Sequence, residues 1–314
     1  MSIDKAEYSF STCWNIKRHQ TGSEMIEEIK SLGFRRVELN YNVTTELMKT
    51  IEPMIERGDI GVSSVHHVFP HLPGKEFDTD SLMLGYPDKD MRARAVELLI
   101  QTVEYAVRYG AEGVVVHPGE VSFPYNIDEE LKRIYHAEGR DSAAYQKLWN
   151  EMMAVRTKES GTYLQLMQES LEQVFERLAA RNIHMGIGIE TRSRCYQMPT
   201  LQEADYLIKQ LAGAPLYLWY DIGHGMMMDR MGLYDNVKEA NALKDKILGV
   251  HIHETVGLSD HWCPYIHSGD ENYFDNFIAI IAAAPIKVYE LKDKCTPEDI
   301  HLSHERITGK ILVK

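Results

Sequence analysis

The chain has 314 residues, 44% hydrophobic and 26% charged, the balance of a water-soluble globular enzyme rather than of a membrane or disordered protein. Its 34 basic and 47 acidic side chains leave a net charge of −13, the wrong sign for binding a phosphate backbone, so nucleic acid is disfavoured as a partner. No apolar run reaches 18 residues, Met1 to Glu7 has no basic and apolar leader character, and Cys13, Cys195, Cys263 and Cys295 form no CxxC pair; these features predict no membrane span, a cytoplasmic location and no disulfides.

In chain order, strand-like runs fall at Tyr8 to Cys13, Arg36 to Leu39, Ile60 to His66, Gly113 to His117, Met185 to Glu190, Leu216 to Asp221, Leu248 to His253 and Ile286 to Glu290. Between them lie stretches of helical period. Ala95, Leu98, Leu99, Thr102, Val103 and Ala106 mark one across Met91 to Tyr109, and Leu164, Met167, Leu171, Val174, Phe175 and Leu178 mark another. Glycines in "SLGF" (Ser31 to Phe34) and "RYGAEG" (Arg108 to Gly113) stand where a helix must stop before the next strand. Runs this apolar, alternating with helices, predict a parallel sheet covered by helices. Eight repeats predict closure into a (β/α)8 TIM barrel over one domain, 1–314, and no GxGxxG follows any strand to favour an open dinucleotide-binding sheet. The polar segment 122–160, with helical patches at Ile127 to His136 and Ala144 to Met153, interrupts the rhythm after the fourth strand. It is expected to lie over the C-terminal face, as a substrate lid or an oligomerisation arm.

Metal-binding side chains stand where four apolar runs end: Glu190 after Ile187-Gly188-Ile189, Asp221 after Leu218-Trp219-Tyr220, His251 and His253 alternating with Val250 and Ile252, and Glu290 after Val288-Tyr289. In a parallel barrel the C-terminal lips of the strands converge, so these groups form a credible divalent-metal site. Mixed Glu, Asp and His donors without cysteine suit Mn²⁺, Zn²⁺, Co²⁺ or Mg²⁺. Each has a competing structural use. Glu190 could pair with Arg192 or Arg194, Asp221 could cap a turn, and Glu290 could pair with Lys287 or Lys292. Successive interior residues of one strand occupy different layers, so one of His251 and His253 is expected to reach an ion. His66, His67 and His117 end the third and fourth runs, His224 follows Asp221 in "DIGHG", and His267 lies in "HSGDE". Trp14 and Trp262 lie near lips, where an indole could stack on a bound ligand.

The order Glu, Asp-x-x-His, His-x-x-Glu, Glu over the last four strands resembles the xylose-isomerase-like TIM-barrel superfamily. That group holds sugar isomerases and epimerases together with the endonuclease IV type of AP endonuclease. The resemblance implies metal ligands Glu190, Asp221, His251 and Glu290, the acid/base pair Glu190 and Glu290, and substrate contacts from His67, His117, Arg192, His224 and His267. It places His253 off the ligand set. The endonuclease branch adds histidines matched here by His67 (or His66), His117 and His267, which leaves room for a second ion near His117. That branch also pairs an aspartate with the last histidine two residues on, whereas Tyr265 stands there in this chain. The expected activity is a divalent-metal-dependent isomerase or epimerase of a sugar, sugar phosphate or polyol, acting by proton transfer through a metal-stabilised enediolate. The alternative is a zinc-dependent AP endonuclease-like phosphodiesterase. The expected partner is a small carbohydrate, with homo-oligomerisation left open.

Overall fold

The computed structural model describes residues 5–80 and 83–313. Eight parallel strands close into a barrel: β1 (Tyr8–Ser11), β2 (Arg36–Leu39), β3 (Gly61–His66), β4 (Gly113–Val116), β5 (Gly186–Glu190), β6 (Leu216–Asp221), β7 (Ile247–Ile252) and β8 (Ile286–Tyr289). Each pairs with its neighbours in sequence, and β1 closes the ring on β8. The chain therefore forms the (β/α)8 barrel that its alternating pattern implies. Helices α1 (Gly22–Ser31), α2 (Thr45–Glu56), α3 (Lys89–Arg108), α4 (Ile127–Glu138), α5 (Ala143–Ala180), α6 (Leu201–Gln210), α7 (Ile222–Met231), α8 (Asn236–Ala242), α9 (Glu271–Phe274), α10 (Ile278–Ala283) and α11 (Pro297–Val313) fill the connections. Among the described residues no helix is long and apolar enough to cross a membrane.

Local chemistry sets the helix ends. Thr21 and Glu24 exchange side-chain and backbone hydrogen bonds in a capping box at the start of α1, and Asp88 caps α3. Beyond the other ends, Gly33 and Gly110 adopt φ of 94° and 66°, which branched residues resist. Several strands stop one residue short of the sequence expectation. His117, His253 and Glu290 have left the barrel ladder and belong to the lip.

Inside the barrel, Trp219 fills the layer beneath that lip. Glycines on both flanking strands admit its indole: a Cβ on Gly249 would lie 2.5 Å from the ring, and one on Gly188 would lie 2.9 Å away. Val115, Ile286 and Val288 complete the packing around it.

The two helical patches expected within 122–160 appear as α4 and as the first part of α5. α5 does not stop at Gly161 but runs 38 residues, uniting the second patch with the barrel helix. Arg156, buried on α5, fixes this arm. Its guanidinium donates to both Glu203 carboxylate oxygens (2.6 and 2.8 Å) and to the carbonyls of Cys195 (3.0 Å) and Gln197 (3.1 Å). The arm is thereby bolted to the loop that follows β5.

Two outcomes are expected. Arg156→Ala strands the Glu203 carboxylate and should cost about 3–5 kcal/mol in chemical denaturation; a loss under 1 kcal/mol would show the pair to be solvated. His304, buried on α11 beside Tyr8 and Tyr289, is lowered to about 4 by burial and by the charge of Lys5. A base whose folded pKa is depressed contributes full stability above its unfolded value, near 6.5, and loses it as pH falls toward 4. The unfolding temperature should therefore drop between pH 6.5 and 4.5, and His304→Gln should flatten that slope relative to the parent.

Candidate functional site

Donor atoms of Glu190, Asp221, His251 and Glu290 lie within 4.8 Å of one another at the C-terminal lip, and all four residues are buried. β-Strand parity brings them there. Glu190 continues the inward face of Gly188, Asp221 that of Trp219, His251 that of Gly249 and Glu290 that of Val288. His251 is the hub. Its Nδ1 stands 3.0 Å from Glu190 Oε1, 3.2 Å from Glu290 Oε2 and 3.5 Å from Asp221 Oδ2. Its Nε2 faces both oxygens of Glu38, at 3.1 and 3.2 Å. Nε2–H donated to a carboxylate leaves the Nδ1 lone pair turned to the other three acids, an arrangement that suits a metal-binding imidazole oriented by an outer carboxylate.

Charge and burial divide the carboxyls. Burial alone would push Glu190 up, but His117 and His251 hold it well below the usual carboxylate range. Asp221 is likewise raised by burial and pulled down further by His224 and His253. Burial raises Glu290 well above its ordinary value; His251 opposes the shift, and the charges of Glu190 and Glu38 add to it. His251 is lowered by burial, yet Glu290, Glu38 and Glu190 carry it well above a free imidazole. A divalent cation held by Nδ1 and the three carboxylates satisfies this excess of negative charge, so the donor set fits the ion.

The competing uses named above are partly realised alongside. Asp221 does cap α7: its Oδ1 accepts from the His224 amide at 2.7 Å. Glu190 pairs with Arg192 at 3.3 Å rather than with Arg194, which reaches Asp80 instead (3.6 Å). Glu290 has no ion pair with Lys287 or Lys292 among the described residues; the Lys292 ammonium donates to Ser259 Oγ. His253 supports Asp221. Its Nδ1 accepts from the His261 amide (2.9 Å), so its Nε2–H donates to the Asp221 carboxylate at 2.8–2.9 Å. Gly223 makes room for that ring, since a Cβ there would lie 2.0 Å from Nδ1.

The remaining sequence candidates divide. His117 reaches the site, with Nε2 2.7 Å from Glu190 Oε2, and Arg192 is buried beside it. His224 turns Nδ1 to the Thr191 carbonyl (3.1 Å) and to Asp221 Oδ2 (3.2 Å). His67 does not face the cavity: its Nδ1 meets Thr102 Oγ1 on α3 at 2.9 Å, behind the barrel wall. His66 takes the inward place, because it shares the face of Ser64, whose hydroxyl donates to Glu38. His267 is also removed from the donors, 37% exposed, with Nε2 3.8 Å from Asp299 at the start of α11. Trp14 is wholly buried with its indole N–H donated to the Cys295 carbonyl, so it offers no face to a ligand.

Two contributors, Glu38 and Asp80, escaped the sequence reading, and the Asp260–His261 pair, whose neighbourhood offers a substitute for the missing aspartate off the family spacing, does lie at the lip. Asp80 binds His117 Nδ1 (2.9 Å) and Arg192 (2.8 Å), while Asp260 lies 3.8 Å from His224 Nε2. Glu38 alone had a signal, a lone acid between Val37 and Leu39. A cavity of about 230 Å³, lined by Asn40, Tyr41, Asn42, His261, Glu290 and Lys292 among others, opens beside the cluster.

The model of the family described as xylose isomerase-like TIM barrel matches residues 26–301. The chain belongs to this family. Among solved structures it resembles 3-keto-D-glucoside 4-epimerase from E. coli, with 14% identity over 97% of this chain and 99% of that one at a TM-score of 0.65. A D-tagatose 3-epimerase-like protein aligns at 16% identity over 98% and 97% of the two chains, TM-score 0.64. The D-psicose 3-epimerase of Clostridium cellulolyticum H10, solved with D-tagatose, aligns at 11% identity over 97% and 99%, TM-score 0.62. No curated protein sequence matches the chain.

Glu38→Ala removes the acceptor of the His251 Nε2–H and should weaken Mn²⁺ binding about 10–100-fold, read by titrating the demetallated protein while following free Mn²⁺ by EPR. Unchanged affinity would exclude Glu38 as the group that orients His251.

Proposed function

We propose that this family member is a divalent-metal-dependent isomerase or epimerase of a small sugar, sugar phosphate or polyol, with Glu190, Asp221, His251 and Glu290 as ligands. One observation carries the reading: Glu190 and Glu290 arrive from β5 and β8 on either side of His251 Nδ1, at 3.0 and 3.2 Å. The ion, when bound, polarises neighbouring carbonyl and hydroxyl oxygens and acidifies the carbon between them. Glu190 and Glu290 then face that carbon from two sides, one taking the proton and the other returning it. The donor set accommodates Mn²⁺, Zn²⁺, Co²⁺ or Mg²⁺. His224, His117 and Arg192 bind substrate oxygens around the pair. Segment 122–160 covers the C-terminal face of one barrel domain spanning 1–314. The epimerase names of the structural neighbours support the same class.

The second reading, a zinc phosphodiesterase, draws on His66, His117 and Glu190, whose donor atoms also lie within 4.8 Å of one another. The −13 charge and the remote His267 weigh against it.

With Mn²⁺ supplied, the protein should wash solvent deuterium into the carbon next to the carbonyl of at least one member of a ketose panel. Glu190→Gln and Glu290→Gln should each lower that exchange by about 10²–10⁴-fold with the far-UV spectrum unchanged. Nicking of abasic DNA without any carbon exchange would replace this reading by the second.

A further inference from the structure

Glu190 divides its two oxygens between two sets of partners. Oε1 faces His251, and Oε2 faces His117 Nε2 at 2.7 Å and His66 Nε2 at 3.3 Å. The opposite nitrogens of both rings have acceptors: His66 Nδ1 donates to the His67 carbonyl (2.9 Å), and His117 Nδ1 donates to Asp80 Oδ1 (2.9 Å). Both Nε2 atoms therefore converge on one carboxylate oxygen, three donors around a single point that calls for a positive centre.

The chain supplies one. Arg192 Nη1 contacts His117 Nε2 and stands 3.3 Å from Glu190 Oε2, while Nη2 is held by Asp80 Oδ1 at 2.8 Å. Arg192 is 6% exposed and follows Glu190 by two residues, in the loop that Arg156 clamps through Cys195 and Gln197. We propose that the Arg192 guanidinium takes the place of a second metal ion in the pocket of His66, His117 and Glu190, and that its removal creates a second divalent-metal site there. The inference rests on the reading above, in that it assigns the first ion to the four-donor set. It also narrows the chemistry. A guanidinium offers fixed N–H donors to substrate oxygens but binds no water for ionisation, so this pocket supplies no second metal-bound hydroxide.

Protein stripped with a chelator, reloaded with Mn²⁺ and desalted should retain one equivalent in the wild type and two in Arg192→Met. The two ions, about 3.5–4 Å apart as in bridged pairs, should give an exchange-coupled EPR spectrum. Adding His66→Ala to Arg192→Met should return the count to one, and Arg192→Lys, which keeps a cation, should stay at one. Arg192→Gln takes the place of the Met variant should the latter not fold. Two equivalents in the wild type, or one in an Arg192→Met or Arg192→Gln protein of unchanged unfolding temperature, would overturn the inference alone. A wild type that retains no ion would overturn the functional reading and this inference with it.

Discussion

Four carboxylates, Glu38, Glu190, Asp221 and Glu290, share one nearly dry space, and everything at the C-terminal lip answers to that fact. An unpaired buried carboxylate costs several kcal/mol even after relaxation, so such a group persists only where positive charge and donors meet it. His251 stands at the centre and faces all four. His253 and the His224 amide donate to Asp221; His117 and Arg192 hold the far oxygen of Glu190. A site of this kind is held under tension by its own charge, and a divalent ion relieves more of that tension than any one side chain can.

The barrel supplies rigidity where the charge demands it. Strands of near-continuous apolar character place one inward residue per layer, so a lone acid at the last inward position must arrive at the common axis. The loops then specialise. The loop after β5 carries Thr191 and Arg192, and Arg156 on α5 holds that loop by its carbonyls. A long helix that reads as decoration thus fixes the loop whose side chains lie beside the Glu190 and His251 cluster.

Much of this was legible in the residues. Glu190, Asp221, His251 and Glu290 stood out because each places a metal-binding side chain where an apolar run ends, and the structure gathers all four. Glu38 carried the same mark between Val37 and Leu39, without the resemblance that drew notice to the others. The choice between His66 and His67 was decidable by parity, since Ser64 and His66 share a face. Asp80 could not be found this way, because it lies in irregular loop backbone, where no period assigns direction; Asp260 was legible only as a neighbour of the missing aspartate, since its hairpin gives no family spacing. His267 stood where the resemblance places a histidine, but Tyr265 replaces the aspartate that pairs with it, and its ring rests against Asp299. The continuity of α5 through Gly161 was hidden in the same way, because an exposed glycine costs a helix only about 1 kcal/mol and does not end it.

Trp219 fills the barrel under the cluster with its ring centroid 5.3 Å from that of His251. The two rings meet edge to face, and the indole N–H has no acceptor among the described residues. An excited indole responds strongly to the charge of a neighbouring imidazole, and this one touches the hub of the site while remaining shielded from water. The emission of Trp219 therefore reports directly on the state of His251. The glycines that open space for a bulky plug also give the molecule an optical gauge of its own centre.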